Sequence, residues 1–382
     1  MKNADIGLTG ETMKHYLATS AMLALISGAA SAGGIDRSGQ GVNILFEEGM
    51  FMQLTYSHVS PDVNGNAPTA VPTAGASNNV ARSYSYGSFG YKQKLTDRLD
   101  AALIIDQPFG AHILYSDGPF SSGGSAGLPY NASAEIDSHA ITGLLQYNFD
   151  NGFSVHGGFR ALKLDGSIYS GDGILNASTD YNFGGVLGVA YEKPEIALRI
   201  ALTYSSAIDS DFTGTQNLTS TAPPLQGAVD TAFTVEFPES VNLDFQTGIA
   251  KDTLLFGSVR WVGWNGFSLT TPSNIEWVNF DGDTTSYEIG IGRRINDKLS
   301  LAVTLGFEEP GNRPTTTALS PTTGSASIGL GGTYQATDKL SISGGVRYIV
   351  PGDQYIDGGA LGDINFNDNS AIAAGFRIGY NF

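Results

Sequence analysis

From residue 49 to residue 382 the chain alternates two kinds of connection without a break. Short polar turns fall at Thr96-Asp97, Asp150-Asn151-Gly152, Glu192-Lys193-Pro194, Lys251-Asp252, Asn296-Asp297 and Thr337-Asp338. Between them lie longer segments rich in Gly, Ser, Thr, Pro and Asn, at about residues 61–81, 115–133, 169–178, 207–229, 271–282, 309–322 and 351–366. The stretches they separate repeat with period two. In EIALRIALTY, Ile196, Leu198, Ile200, Leu202 and Tyr204 share one face; in KLSLAVTLGF, Leu299, Leu301, Val303, Leu305 and Phe307 do. The pattern predicts fourteen strands, roughly 49–60, 82–95, 98–114, 134–149, 153–168, 179–192, 195–206, 230–250, 253–270, 283–295, 298–308, 323–336, 339–350 and 367–382.

Few folds accept this arrangement. Short turns at one end, long loops at the other and an even strand count define a transmembrane antiparallel β-barrel. Lipid cannot satisfy backbone N–H and C=O groups, so the sheet must close on itself. A soluble sandwich or propeller buries its apolar face in a core and has no reason for one-sided loops. The strands exceed the ~9–11 residues needed to span a bilayer, so some are expected to project above it.

Composition narrows the function. A net charge of −17 excludes a nucleic-acid partner, whose phosphates require a basic face. Without cysteine the chain has no disulfide or thiolate-ligated metal. Near the start, MKHYLATSAMLALISGAASA places Lys14, an apolar run from Leu17 to Ile26 and an Ala30-Ser31-Ala32 site in the order of an export signal. Cleavage is expected after Ala32, with residues 1–12 as an upstream extension if Met13 is the true start. Residues 33–48 would then form a short N-terminal plug segment ahead of a barrel from 49 to 382.

The end of the chain, AIAAGFRIGYNF, alternates the same way. Ile372, Phe376, Ile378, Tyr380 and Phe382 face lipid, and Arg377 faces the lumen, where charge is tolerated. A terminal strand ending on Phe382 resembles the ending that the assembly machinery of bacterial outer membranes recognises. Three stretches are more particular. GSVRWVGWNGF is similar to a strand carrying a W-[ST]-x-F element in the FadL/TodX family of outer-membrane transporters for long-chain fatty acids and hydrocarbons. TTSYEIGIGRRINDKLSLAVTLGFEEPGNRP resembles that family's strand, turn, strand and acidic-proline loop. IGLGGTYQATDKLSISGGVRYIV resembles its last strands, and FPESVNLDFQTGIAKDTLLFGSVRW fits the proline-started strand before them. The resemblance implies a fourteen-stranded barrel in the bacterial outer membrane that passes hydrophobic small molecules without an energy source or cofactor. One departure is visible: the family's longer plug with an Asn-Pro-Ala element is absent.

Face assignment by alternation gives candidate lumenal groups. Arg199, Arg260, Arg347 and Arg377 oppose the apolar residues of their strands; Arg160 does so across a suspected bulge in GGFRALKL. Such guanidinium groups could hold a substrate carboxylate, or could pair with lumenal Asp244, Glu288 or Glu308. Phe256, Val262 and Trp264 add apolar surface to the lumenal side of the strand carrying Arg260, unless a bulge turns Trp264 to the outer aromatic girdle. The stretch Gln107-Pro108-Phe109-Gly110 interrupts a strand, because proline donates no ladder hydrogen bond. The resemblance implies a kinked strand that opens the wall sideways here; otherwise the strand simply ends.

Catalysis finds no motif. H-E-x-x-H and G-x-S-x-G are absent, and His139 with Asp137 is the one close pair, read as solvated. No EF-hand pattern is present, though FDGDTT could hold calcium weakly; the other loop acids read as solvated or as sharing divalent ions with lipopolysaccharide. A transporter for hydrophobic molecules is therefore expected, with a general diffusion porin as the alternative.

Overall fold

The computed structural model describes residues 35–66, 76–124, 126–219, 227–313, 317–356 and 363–382. The expected export signal, residues 1–32, lies outside them. The barrel strands are β1 Phe51–Asp62, β2 Tyr84–Lys94, β3 Leu99–Asp106 resuming as Gly110–Leu114, β4 Ser133–Asn148 and β5 Phe153–Ser170. Next come β6 (Gly173–Thr179 and Asn182–Lys193), β7 (Leu198–Ser205 and Ile208–Leu218), β8 (Val229–Phe237 and Ser240–Ala250) and β9 Thr253–Val262. The series ends with β10 Thr284–Arg294, β11 Leu299–Glu308, β12 Ser325–Gln335, β13 Leu340–Pro351 and β14 Ser370–Asn381. Each is antiparallel to the next, and β14 pairs with β1 from Phe51↔Asn381 to Asp62↔Ser370. The sheet thus closes with fourteen strands, as the sequence pattern requires.

Alternation fixes the faces. Leu301, Val303, Leu305, Ile200 and Leu202 are exposed on the outer wall, while Ser300, Ala302 and Thr304 between them are buried. Aromatics mark both ends of this apolar band: Tyr147, Phe153, Tyr334 and Phe382 near the short turns, and Phe159, Phe183, Tyr204 and Phe307 near the long loops. The two-residue turn Lys251-Asp252 shows how tight the short connections are. Asp252 sits at φ 58°, a left-handed conformation that Asp tolerates better than most residues.

Four expectations need correction. Residues 169–178 are not a long loop: β5 and β6 continue past them and turn at Gly171-Asp172. Residues 208–218, read as loop, extend β7. On β4 and β5 the outward side chains change from Ile141 and Phe159 to Asp137 and Asp165, so these extensions stand above the lipid and carry no lipid-type alternation to read. The suspected bulge near Gly157-Gly158 is absent, since β5 runs in unbroken register with both β4 and β6. Finally, β9 stops at Val262; Phe267–Thr270 belongs to a separate hairpin with Glu276–Phe280.

Candidate functional site

The barrel interior is divided by chemistry. At the long-loop end, an apolar cluster joins Phe109, Phe212, Phe237, Trp264, Phe267 and Leu269. Their rings pack tilted, edge to face or stacked, with centroids 5.1 Å apart for Phe109–Phe237, 5.2 Å for Trp264–Phe267 and 5.2 Å for Phe212–Phe233. Trp264 is fully buried here, which settles its two readings in favour of the interior. It lies two residues beyond the last ladder position of β9, where Trp264 N–H bonds to Val262 O at 3.0 Å and tucks the side chain inward. Its indole N–H finds no acceptor among the described residues.

Below this cluster the lumen is charged. A cavity of about 220 Å³ is lined by Asp36, Asp106, Asp244, Arg260, Glu288 and Arg347, among others. Phe256 and Val262 also line it, as read from the alternation of β9. Residues Ile35–Phe46 enter this space and are mostly buried, ending in a short 3₁₀ turn at Asn43–Phe46. Lys92 of β2 fixes that turn, donating to Leu45 O at 2.7 Å and Glu47 O at 2.6 Å.

The five arginines all point inward, and each has a partner. Arg260 Nε donates to Asp36 at 2.6 Å and its Nη1 to Asn242 at 2.6 Å. Arg160 donates to Gln40 and to Thr142. The Arg199 guanidinium stacks on Phe46, 4.6 Å from the ring centre. Arg347 pairs with Glu288, the partner expected, and Arg377 meets Gln53 and Glu47. Four of the five therefore engage residues before or at the start of the barrel. Those partners, Asp36, Gln40, Phe46 and Glu47, were missed from the sequence. The glycines of neighbouring strands make room for large lumenal groups: a Cβ on Gly290 would lie 2.4 Å from the Phe256 ring.

The wall itself is interrupted at one place. The β2–β3 ladder stops at Phe89↔Ile105, and the strands meet again only at the Ala81↔Ile113 bridge. Residues 81 to 89 and 105 to 113 both span eight positions (89 − 81 and 113 − 105), so the register is the same on both sides of the gap. The strand has not ended at Gln107-Pro108-Phe109-Gly110; it is kinked away from its neighbour. Ser138 of β4 holds the kink, its hydroxyl bonding Phe109 N at 2.9 Å and Phe109 O at 2.6 Å.

The N-terminal segment fills the gap. Arg37 N–H donates to Pro108 O at 2.7 Å, Gly110 N–H donates to Ile35 O at 2.8 Å, and Asp36 forms an antiparallel bridge with Phe109. Three residues thus stand in for the missing stretch of β2. Arg37 is almost wholly buried, stacked 4.4 Å over the Tyr84 ring and 3.2 Å from Asp137. It lies directly over Gly110, where a Cβ would come within 2.1 Å of the guanidinium carbon.

A closed barrel with a lipid-facing apolar band and a segmented interior defines an outer-membrane transport protein rather than a soluble β-protein. Residues 43–362 match the profile of the family described as outer membrane protein transport protein (OMPP1/FadL/TodX), and the chain belongs to that family. Outer membrane protein P1 of Haemophilus influenzae is 24% identical over 175 residues, which is 44% of this chain and 38% of that protein. The match thus spans well under half of that relative's length. Among solved structures, a Pseudomonas aeruginosa FadL homologue superposes with a TM-score of 0.75 at 14% identity, covering 95% of this chain and 98% of that one. The P. putida toluene transporter TodX superposes at 0.65 with 12% identity, covering 93% and 99%. The protein is accordingly an outer-membrane barrel.

Proposed function

We propose that this chain is a non-catalytic channel for uncharged or weakly polar hydrophobic molecules, taken in at the long-loop end and released sideways through the β2–β3 gap. The observation that carries the reading is the interrupted ladder, whose kinked residue Phe109 faces the apolar cluster around Trp264. A greasy molecule held among Phe109, Phe237 and Trp264 has two ways on. The charged lumen would cost it the free energy of contact with polar surface, whereas the gap leads to lipid. Movement of Ile35–Arg37 out of the gap would open that second way. The compound named in the description of TodX, toluene, is of the size and polarity this route favours.

The residues 33–48 act in this reading as the plug, and Phe382 as the signal read by the assembly machinery. Lipid and lipopolysaccharide surround the apolar band. A second reading, long-chain fatty acids, rests on Arg260: its Nη2 is buried without a partner among the described residues and the residue lines the lumenal cavity, so a carboxylate could be held there. Arg260→Ala would then weaken fatty-acid uptake and spare hydrocarbons.

The test of the side route is Gly110→Ala. The added methyl group must displace the Arg37 guanidinium from over the kink, loosening the segment that fills the gap. Uptake of a fluorescent hydrocarbon by cells should accelerate severalfold, with barrel assembly unchanged. Unaltered uptake in a correctly assembled variant would contradict the route.

A further inference from the structure

On the outer surface, above the aromatic band, three side chains of two neighbouring strands converge. His112 of β3 lies directly opposite Glu135 of β4, and Gly110 opposite Asp137, so His112 and Asp137 are diagonal neighbours. His112 Nε2 is 3.3 Å from Asp137 Oδ1 and 4.0 Å from Glu135 Oε1. One ligand atom from each residue lies within 4.8 Å of the others. For metal–ligand bonds of roughly 2.0–2.2 Å, the edge of a coordination tetrahedron is about 3.3–3.6 Å. The His112–Asp137 separation already matches, and Glu135, an exposed side chain 4.0 Å from His112, must swing inward to complete the set.

Two further observations bear on the cluster. Its members are oriented from outside: Tyr84 packs edge-on against the His112 ring at 6.3 Å, and Arg37 holds Asp137 Oδ1. The Arg37 bond orients the carboxylate as an outer hydrogen bond does around a metal ligand, and the Tyr84 ring packs the imidazole in place. Charge is also unbalanced. Asp137 stands directly opposite Asp165 of β5, a like-charged cross-strand pair that destabilises a sheet, and Asp165 has no ion-pair partner among the described residues. Glu135, Asp137 and Asp165 together place three negative charges against Arg37 and Lys163, the latter paired with His139 on the same face. A divalent ion would offset the excess.

We propose that His112, Glu135 and Asp137 form a surface site for a divalent transition-metal ion of the Zn²⁺ type. One nitrogen and two carboxylate oxygens suit such an ion better than Ca²⁺ or Mg²⁺, which prefer all-oxygen shells. Glu135 and Asp137 also line a groove with Asp165, Ser167, Asn176, Ser178 and Thr213, from which a water or an external oxygen ligand could reach the ion.

The test uses untagged full-length barrel in detergent, stripped with a chelator. Zn²⁺ is titrated by calorimetry and Co²⁺ by visible absorption. One ion per chain is expected, with the intense absorption of four- or five-coordinate Co²⁺. His112→Ala and Glu135→Gln should each weaken binding at least about tenfold, as losses of coordinating groups do. His139→Ala, on the same outer face of β4, should leave it unchanged. Assembly of each variant is checked by its heat-modifiable migration, and Glu135, being exposed, serves if His112→Ala fails to assemble. Absence of saturable binding to the native barrel would overturn the proposal. So would binding that survives both His112→Ala and Glu135→Gln.

Discussion

The two halves of the barrel interior solve burial in opposite ways. Around Trp264 the rings of Phe109, Phe237 and Phe267 pack against one another, and even the indole N–H goes without an acceptor. Around Arg260 the charges are paired with other side chains, often ones from Ile35–Glu47, leaving single atoms such as Arg260 Nη2 without a partner among the described residues. The contrast separates what each half can accept. An apolar enclosure can exchange its own side chains for a hydrophobic guest at little cost. A lumen of paired charges cannot, because a guest that parts a buried pair leaves both ions uncompensated. The N-terminal segment touches both halves: Ile35 joins the apolar cluster, and the next residue, Asp36, pairs with Arg260.

The largest effect that would test this contrast is Trp264→Ala. Emptying so large a buried volume should destabilise the barrel by about 3–5 kcal/mol, measured by denaturant unfolding in micelles. A loss under 1 kcal/mol would mean the apolar half is loosely packed already. Val303→Arg probes the outer wall in the same units. Midway along the apolar band of β11, it should cost about 2–4 kcal/mol, and Thr304→Ser on the lumenal side far less. Equal costs would place the lipid and lumenal faces wrongly.

Asp36→Asn keeps the shape of the Arg260 contact and removes its charge. A charge-assisted bond of this kind contributes about 1.5–3 kcal/mol, and the loss should appear as faster proteolysis of the N-terminal segment. Unchanged proteolysis would show that the segment is held by its apolar contacts alone. The smallest expected change is Ser138→Ala, about 1 kcal/mol, since one hydroxyl holds the β3 kink at two backbone atoms. If the kink is set by Pro108 alone, the substitution will be silent.

Much of this was legible in the sequence where lipid imposed a pattern. The alternation of Leu301, Val303 and Leu305 with Ser300, Ala302 and Thr304 gave strand, face and register together. The same rule placed Arg199, Arg260, Arg347 and Arg377 inward. It failed above the membrane. In Ile208–Leu218 the outward residues are Asp209 and Asp211, so a strand there looks like a polar loop. Pairings were illegible for another reason. Asp36 and Arg260 are separated by 224 positions, and no local signal joins them. The break at Pro108 could be seen, but the continuous register across it could not, since that depends on Ala81 meeting Ile113.

The claim that hydrophobic molecules leave through the β2–β3 gap is tested most directly by locking it. The chain has no cysteine, so the double variant Asp36→Cys, Phe109→Cys offers a single disulfide across residues already paired as an antiparallel bridge. Uptake of a fluorescent hydrocarbon is then followed in oxidised and reduced cells, with each single variant as control. Uptake should fall to background on oxidation of the double variant alone and return on reduction. Full uptake by a barrel shown to be oxidised would contradict a side exit and send the substrate down the charged lumen instead.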